Sequence, residues 1–596
     1  MKQTVHSLLA QSLQRHADRE AFVATGRRSL TYAELGRQLR DDHAFLRGAG
    51  FGARSRIGVA MPPGPEGLAV IAAVSASAAC APLEPELDQG TLERLTKAMR
   101  IEALVVAEGS TSSAARAARA LGMPLIEVAV PADSPAGAHA LRTDSRRDAA
   151  PPDLPGPDDL AFVWHTSGTT GMPKVVAYEQ WRICFDVRKR IERRRIDSSD
   201  RCLVTSTLGS AATARLAVLS NLAAGAAVIH PRDLNAESVL AAIESLAPTY
   251  FLAAPALHSR LLELVEKRGR PPAHRLRAVY SSFAEQPPQV RSRLEQVLGV
   301  PIIVVYGMTE VGGIAETLPS EGAPPRSVGR PHVEVAIADD RGGLLAAGHE
   351  GEVWVRGPEV IEAYESPPEA NREAFRDGWF RTGDCGFVDE RGFLHLTGRI
   401  KDAINRGGVK VSPAEVEFAL ESHPAVREAA VFARRHPTLG EDVCAAVVFD
   451  DGRSASEADL RRFLRQRLSA QKTPTRIVAA PTLPRNPAGK LRRTELAAFG
   501  EALLEQSRQP PQGPYEEQVA RIFRQLLRVD DIGRHDQFFD RGGDSLRAVE
   551  LLEQVKERFA VSLSMDTVLE NASVAGLAKV ISESGGVTGK PTSGST

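Results

Sequence analysis

The residues best suited to chemistry fall into two strings. Thr166-Ser167-Gly168-Thr169-Thr170-Gly171-Met172-Pro173-Lys174 packs hydroxyls and glycines directly after an apolar run, Leu160–Trp164. Glycines let backbone N–H groups close on phosphate oxygens, Ser and Thr add hydroxyl donors, and Lys174 adds charge. The order is not that of a Walker A loop, which opens a helix on Gly-Lys-Ser/Thr. Here Pro173 precedes Lys174, and a strand-like Lys-Val-Val-Ala-Tyr follows. The second string, Asp536-Gln537-Phe538-Phe539-Asp540-Arg541-Gly542-Gly543-Asp544-Ser545-Leu546, puts Ser545 at the start of a predicted helix. Leu546, Val549, Leu552, Val555 and Phe559 are expected on one apolar face of it.

Weaker candidates lie between these strings. Tyr306-Gly307-Met308-Thr309-Glu310 follows the apolar run Pro301–Val305. Strand ends are where α/β proteins place ligands. There Tyr306 can stack on a base, Thr309 can contact a phosphate, and Glu310 can hold Mg²⁺ through oxygen. Asp384 can accept from ribose hydroxyls, and Arg399 offers a fork to phosphate or ribose. Asn486-Pro487-Ala488-Gly489-Lys490 is a turn presenting one lysine. Taken singly, each of these is ordinarily a solvated polar side chain.

The elements that must position them follow from patterning. At 596 residues the chain exceeds a single core. Lys+Arg (74) nearly cancels Asp+Glu (75), so no nucleic-acid footprint is expected. The local basic stretches Arg188–Arg190 and Arg193–Arg195 read as a solvated helix face. Cys80, Cys184, Cys202, Cys385 and Cys444 form no CxxC pair, which fits a reducing cytoplasm. The N-terminal segment lacks a signal-peptide core, and the Ala-rich run 68–80 is too short to span a bilayer.

Apolar runs at 56–61, 103–106 and 125–128 alternate with helical patterns at 31–49 and 65–79, which predicts an α/β domain with a largely parallel sheet. The pattern resumes at Leu160. From 333 to 397, short strands with Gly turns predict a β-rich subdomain. A small α+β unit follows from Lys401, then a Pro-rich linker around 504–514, an all-α helical bundle over 515–580, and a Gly/Ser/Thr-rich tail.

In combination and order these motifs resemble the adenylate-forming superfamily, which includes acyl- and aryl-CoA synthetases, luciferases and the adenylation domains of nonribosomal peptide synthetases. The resemblance covers roughly residues 5–498. It includes Leu30-Thr31-Tyr32-Ala33-Glu34-Leu35, Gly407-Gly408 and Ser412-Pro413-Ala414-Glu415-Val416-Glu417. The string ending in Ser545 resembles the attachment motif of acyl and peptidyl carrier proteins. The implied organisation is an adenylation core at 1–398, a C-terminal lid at 399–500, a linker at 501–514, a carrier at 515–582 and a disordered tail at 583–596. The implied cofactors are ATP, Mg²⁺ and 4′-phosphopantetheine, the last carried on Ser545. Lys490 would bridge the carboxylate and α-phosphate during adenylation, Lys401 would be the hinge, and Gly407-Gly408 would face the thiol after the lid rotates. The implied partners are a small carboxylic acid, a phosphopantetheinyl transferase and a downstream condensing or tailoring enzyme, with neither nucleic acid nor membrane.

Three departures bear on substrate. Amino-acid-activating relatives carry an Asp that pairs with the α-ammonium. Aligned backwards from Gly225 that slot falls near Ala212, and no acid lies between Arg201 and Arg232. A buried ammonium without a counter-charge is strongly unfavourable, so an aryl or short acyl acid is expected. The family's Gly-Gly turn beside the adenylate reads here as Ser281-Ser282-Phe283-Ala284-Glu285. Met308 stands where amino-acid activators mostly have Pro. The same alignment lines the pocket with Ala212, Thr213, Leu216, Leu252, Tyr280, Ser282, Val305, Gly313 and Ile314. Arg215, beside it, either meets a second acidic group or, as the commoner arrangement, points to solvent. The rival activities are acyl- or aryl-CoA ligation with free CoA, and amino-acid activation through an atypical ammonium site.

Overall fold

The computed structural model describes residues 2–145, 154–166, 173–436, 439–450, 452–485, 491–506, 509–527, 529, 532–539 and 541–585. These divide into two compact units, one ending at Leu396 and the other beginning at Thr397.

The first unit is α/β and holds two large sheets. In one, Arg56–Val59, Ala79–Pro82, Ala103–Ala107 and Leu125–Ala129 pair in parallel, and Ala79–Pro82 also pairs in parallel with Leu160–Thr166. That last strand turns into an antiparallel partner, Lys174–Glu179, so a hairpin brackets residues 167–172. The helix Pro65–Ser77 packs with no exposed residue, which explains why its sequence is apolar all round. The other sheet has a parallel core of Ala227–His230, Arg201–Leu203, Tyr250–Ala253, Ala278–Ser281 and Ile302–Met308. It continues through antiparallel Gly312–Glu316 and Ser327–Pro331 into the Gly-turn strands Glu334–Ala338, Gly351–Arg356, Trp379–Val388 and Leu394–Arg399. The expected β-rich stretch therefore extends this sheet. The Leu-Thr-Tyr-Ala-Glu-Leu string opens the helix Tyr32–Gly48: Thr31 and Glu34 form a reciprocal capping box there.

The second unit contains an antiparallel sheet of Val409–Val411, Ile404–Arg406, Gly440–Phe449 and Val426–His436. It also contains four helices with a core of their own: Gly513–Leu527, Ser545–Phe559, Met565–Glu570 and Val574–Glu583. Of the tail read at 583–596, Glu583 ends the last helix, and residues beyond Gly585 lie outside those described. No helix among the described residues is long and apolar enough to cross a membrane.

One expectation fails on the helix Gln180–Arg194. Its basic residues are not a solvated face. Arg194 is 2% exposed and pairs with Glu316 at 2.7 Å, Arg190 is paired with Asp186 at 2.8 Å, and Lys189 pairs with Glu359. Glu316 and Glu359 come from elsewhere in the chain, so the sequence pattern of the helix could not reveal them, whereas Asp186 lies one turn away on the same helix.

Candidate functional site

Two strand ends converge in the first unit. Thr166 closes the strand leading into the phosphate loop, and its Oγ1 donates to Glu310 Oε1 at 3.4 Å. Glu310 follows the strand Ile302–Met308 and is buried. The Tyr364 hydroxyl donates to the same carboxylate oxygen at 2.8 Å, and the Lys174 ammonium lies 4.6 Å from the centre of the Tyr364 ring. Burial and the Glu310 charge push the Tyr364 hydroxyl well above its usual pKa, so it remains a donor. Tyr178 donates to the Thr309 carbonyl at 3.0 Å, which fixes the turn carrying Thr309 and Glu310. A carboxylate held by hydroxyl donors beside a phosphate loop suits Mg²⁺, which takes one or two carboxylates and completes its shell with phosphate and water.

Tyr306 and Asp384 also meet, though not as expected. The Tyr306 hydroxyl donates to Asp384 Oδ2 at 2.6 Å, and both residues are buried. Asp384 is thus anchored through one carboxylate oxygen. Ser167, Gly168, Thr169, Thr170, Gly171 and Lys490 lie outside the described residues.

The residues expected to line the acyl pocket separate by depth. Ala212, Ser282, Val305 and Gly313 are partly open, whereas Thr213, Tyr280 and Ile314 are buried to 0–1%. The last three therefore stand behind the wall. Tyr280 in particular is covered by the Arg194 guanidinium, 4.2 Å from its ring centre. Leu216 and Leu252 are core residues. Ser282 donates to the Val305 carbonyl at 3.0 Å, tying two lining segments together. Phe283 sits at φ 76, a left-handed conformation that a glycine adopts without cost, so the departure from the family's Gly-Gly turn is retained against strain. Arg215 is not at the surface: it is 2% exposed, with its guanidinium 4.0 Å from the Tyr178 ring centre. It lies in a wide-turn helix, Thr213–Ser220, whose Arg215 and Leu216 carbonyls accept from the side chains of Ser220 and Asn221.

Sequence reasoning missed Tyr364, Tyr178 and Glu84. Glu84, following a buried strand, accepts a hydrogen bond from Thr207, beside the pocket segment that contains no acid of its own. Tyr364 stands in an irregular, proline-bounded stretch with no periodicity to mark it.

In the second unit, Arg399 ends a strand and Lys401 occupies the single helical turn Ile400–Asp402. Gly407 and Gly408 form the tight turn between Ile404–Arg406 and Val409–Val411 at φ 60 and φ 90. Ser545 is exposed at the first position of a 15-residue helix, with Asp544 as N-cap accepting from the Arg547 N–H at 2.8 Å. The helix N-terminus favours a phosphodiester at that serine. Gly543 has no side chain because a Cβ there would lie 2.4 Å from Phe538, which fills the bundle core. The expected apolar face is corrected: Ala548, Leu551, Val555 and Phe559 are buried, while Leu546 and Val549 are 73% and 46% exposed.

The chain belongs to the AMP-binding enzyme family, whose model matches residues 9–365. The model of the AMP-binding enzyme C-terminal domain matches 415–490, and that of the phosphopantetheine attachment site matches 517–581. The chain is 32% identical to Probable CoA ligase CCL9 of Humulus lupulus, over 86% of this chain and 99% of that protein. It is 31% identical to an oxalate–CoA ligase of Arabidopsis thaliana, over 83% and 98%. A component of the linear gramicidin synthase of Brevibacillus parabrevis matches 98% of this chain at 27% identity, within 8% of its own length. Among solved structures, ATP-bound MatB from Rhodopseudomonas palustris superposes with a TM-score of 0.72 at 25% identity, covering 83% of this chain and 99% of that one. The protein is an acid–thiol ligase that works through an acyl-adenylate and carries an attachment domain; ATP, Mg²⁺ and 4′-phosphopantetheine are its cofactors.

Proposed function

We propose that this enzyme activates an aryl or short acyl acid lacking an α-amino group and loads it onto the phosphopantetheine arm of its own Ser545. R-COOH and ATP give R-CO-AMP and pyrophosphate. The arm's thiol then displaces AMP to form the thioester. The observation carrying this reading is one chain holding both the Thr166–Glu310–Tyr364 constellation and an exposed serine at a capped helix start.

In this scheme Glu310 holds the metal, and Thr309 and the loop 166–171 receive the phosphates. Asp384 and Arg399 hold the ribose side. Lys490 neutralises the reacting oxygens during adenylation. Lys401 is the hinge about which a lid of residues 399–500 turns, and Gly407-Gly408 leaves room for the arm. The loaded acid passes to a downstream enzyme that docks the carrier, in nonribosomal peptide or related biosynthesis in the cytoplasm. A phosphopantetheinyl transferase installs the arm.

The CoA-ligase names of the relatives favour a second reading, in which free CoA takes the acyl group. Thioester formation by the holo-enzyme and by Ser545→Ala, each with CoA, separates the two. Loading in cis requires loss of protein-bound thioester in the variant with little acyl-CoA formed by either. Abundant acyl-CoA from both overturns it. A pyrophosphate-release panel tests the acid class. A proteinogenic amino acid with the highest specificity constant would overturn the α-amino-free assignment and direct attention to Glu84 as the ammonium's partner.

A further inference from the structure

We infer that the acyl pocket contains a receptor for a second carboxylate, built from Arg215 and His332 around Gly312-Gly313, and that the preferred substrate is a short dicarboxylic acid. This rests on the assignment of Gly313 and its neighbours to the acyl pocket made above.

Behind the diglycine lies a buried polar cluster. A Cβ at Gly312 would stand 3.0 Å from both Arg215 Nη1 and Asp186 Oδ1, and one at Gly313 would stand 3.2 Å from the His332 ring. Glycines at these two positions therefore bring the pocket wall directly against the cluster. Three guanidiniums, Arg190, Arg194 and Arg215, face two carboxylates. Asp186 pairs with Arg190 at 2.8 Å and Glu316 with Arg194 at 2.7 Å. Arg215 forms no ion pair among the described residues. Its Nη2 donates to the Thr309 carbonyl at 3.3 Å, and its Nε has no partner there. The nearby acids Glu310 and Glu359 are engaged elsewhere, Glu310 by Tyr364 and Glu359 by Lys189.

A buried cation without a counter-charge is strongly disfavoured. Stacking on Tyr178 and on Trp164, at 4.0 and 4.8 Å, and the Tyr178 hydroxyl beside the guanidinium offset part of that cost but supply no paired carboxylate. Arg Nε with an adjacent Nη is the fork that matches a carboxylate. Both His332 ring nitrogens also lack partners among the described residues. Burial and the surrounding cations hold His332 neutral, so it can donate one hydrogen bond without adding charge. The chain length of the acid follows from position. Arg215 touches the Thr309 carbonyl, on the turn beside which the reacting carboxylate is activated, so the two carboxylates must be only a few bonds apart.

The test is ATP–pyrophosphate exchange by the full holo-chain with oxalic, malonic, succinic and glutaric acids, each against its monocarboxylic counterpart. One diacid should exceed its partner in specificity constant by at least about 100-fold, a floor below the roughly 10⁴-fold or more by which a site built for a polar group rejects an analogue lacking it. Arg215→Met should collapse that ratio, mainly through KM, and Arg215→Lys should restore part of it. His332→Ala should reduce it less. A wild-type preference for monocarboxylic or aryl acids overturns the inference while leaving adenylation intact. So does an equal loss in both arms for Arg215→Met accompanied by a lowered thermal midpoint, which marks a structural role. Should the Arg215 variants fail to fold, unchanged selectivity in His332→Ala overturns it. Exchange in neither arm, but with an added benzoic acid control, overturns the inference while leaving adenylation intact; exchange with none of these acids would refute the adenylation reading, and this inference with it.

Discussion

At Glu310 a single carboxylate oxygen accepts from Tyr364 at 2.8 Å and from Thr166 at 3.4 Å. Groups that orient a metal's ligand typically contribute 10–100-fold to metal affinity or activity. Tyr364→Phe removes the donor and keeps the ring that Lys174 covers. The Mg²⁺ concentration for half-maximal adenylation should therefore rise about tenfold, with little change in KM for the acid. An unchanged Mg²⁺ titration would detach Tyr364 from metal positioning. In the proposed scheme Lys490 acts on the other side of the reaction. Removing one preorganised charge at the developing negative oxygens should lower acyl-adenylate formation at least ~100-fold in Lys490→Ala. Thioester formation from supplied acyl-adenylate should survive. Near-wild-type pyrophosphate release by that variant would exclude Lys490 from the mechanism.

The helix Ser545–Phe559 shows how one element serves two surfaces. Its inward set, Ala548, Leu551, Val555 and Phe559, completes the bundle core, and its outward set, Leu546 and Val549, flanks the attachment serine. Leu551→Ala should destabilise the bundle by about 2–5 kcal/mol, as deletion of a buried leucine does. Leu546→Ala should stay within about 0.5 kcal/mol, as an exposed change does. Chemical denaturation followed by carrier-domain signals compares them, and similar losses in both variants would contradict the assigned faces. In the proposed scheme a partner enzyme approaches Ser545, so Leu546→Ala should instead slow transfer of the loaded acyl group.

For the molecule as a whole, the bundle core of residues 519–581 shares no residue with the cores of the first unit or of the lid sheet. Cleavage at an engineered protease site between Gln509 and Gln512 should leave adenylation at the intact rate. Each fragment should keep its own cooperative unfolding. Loading of the carrier should become dependent on concentration, because the linker sets the effective concentration of the arm. Loss of adenylation on cleavage would mean that the carrier completes the site.

The α/β alternation and the start of the Ser545 helix were legible in the sequence because each is local. Period-specific runs, and Asp544 before a helical pattern, carry their physics within a few residues. The association of Thr166 with Glu310 and of Tyr306 with Asp384 is another matter. The motif resemblance put these residues in one site, but their contacts span 144 and 78 residues and exist only once the sheets are assembled. Arg194 shows the limit most sharply. Its pairing needs an acid from elsewhere, and Glu316 lies 122 residues away. The helix Ser545–Phe559 failed for a related reason. It carries apolar residues on more than one side, and Val555 and Phe559 belong to either reading. Only the neighbouring helices determine that Leu551 turns inward and Leu546 remains in water.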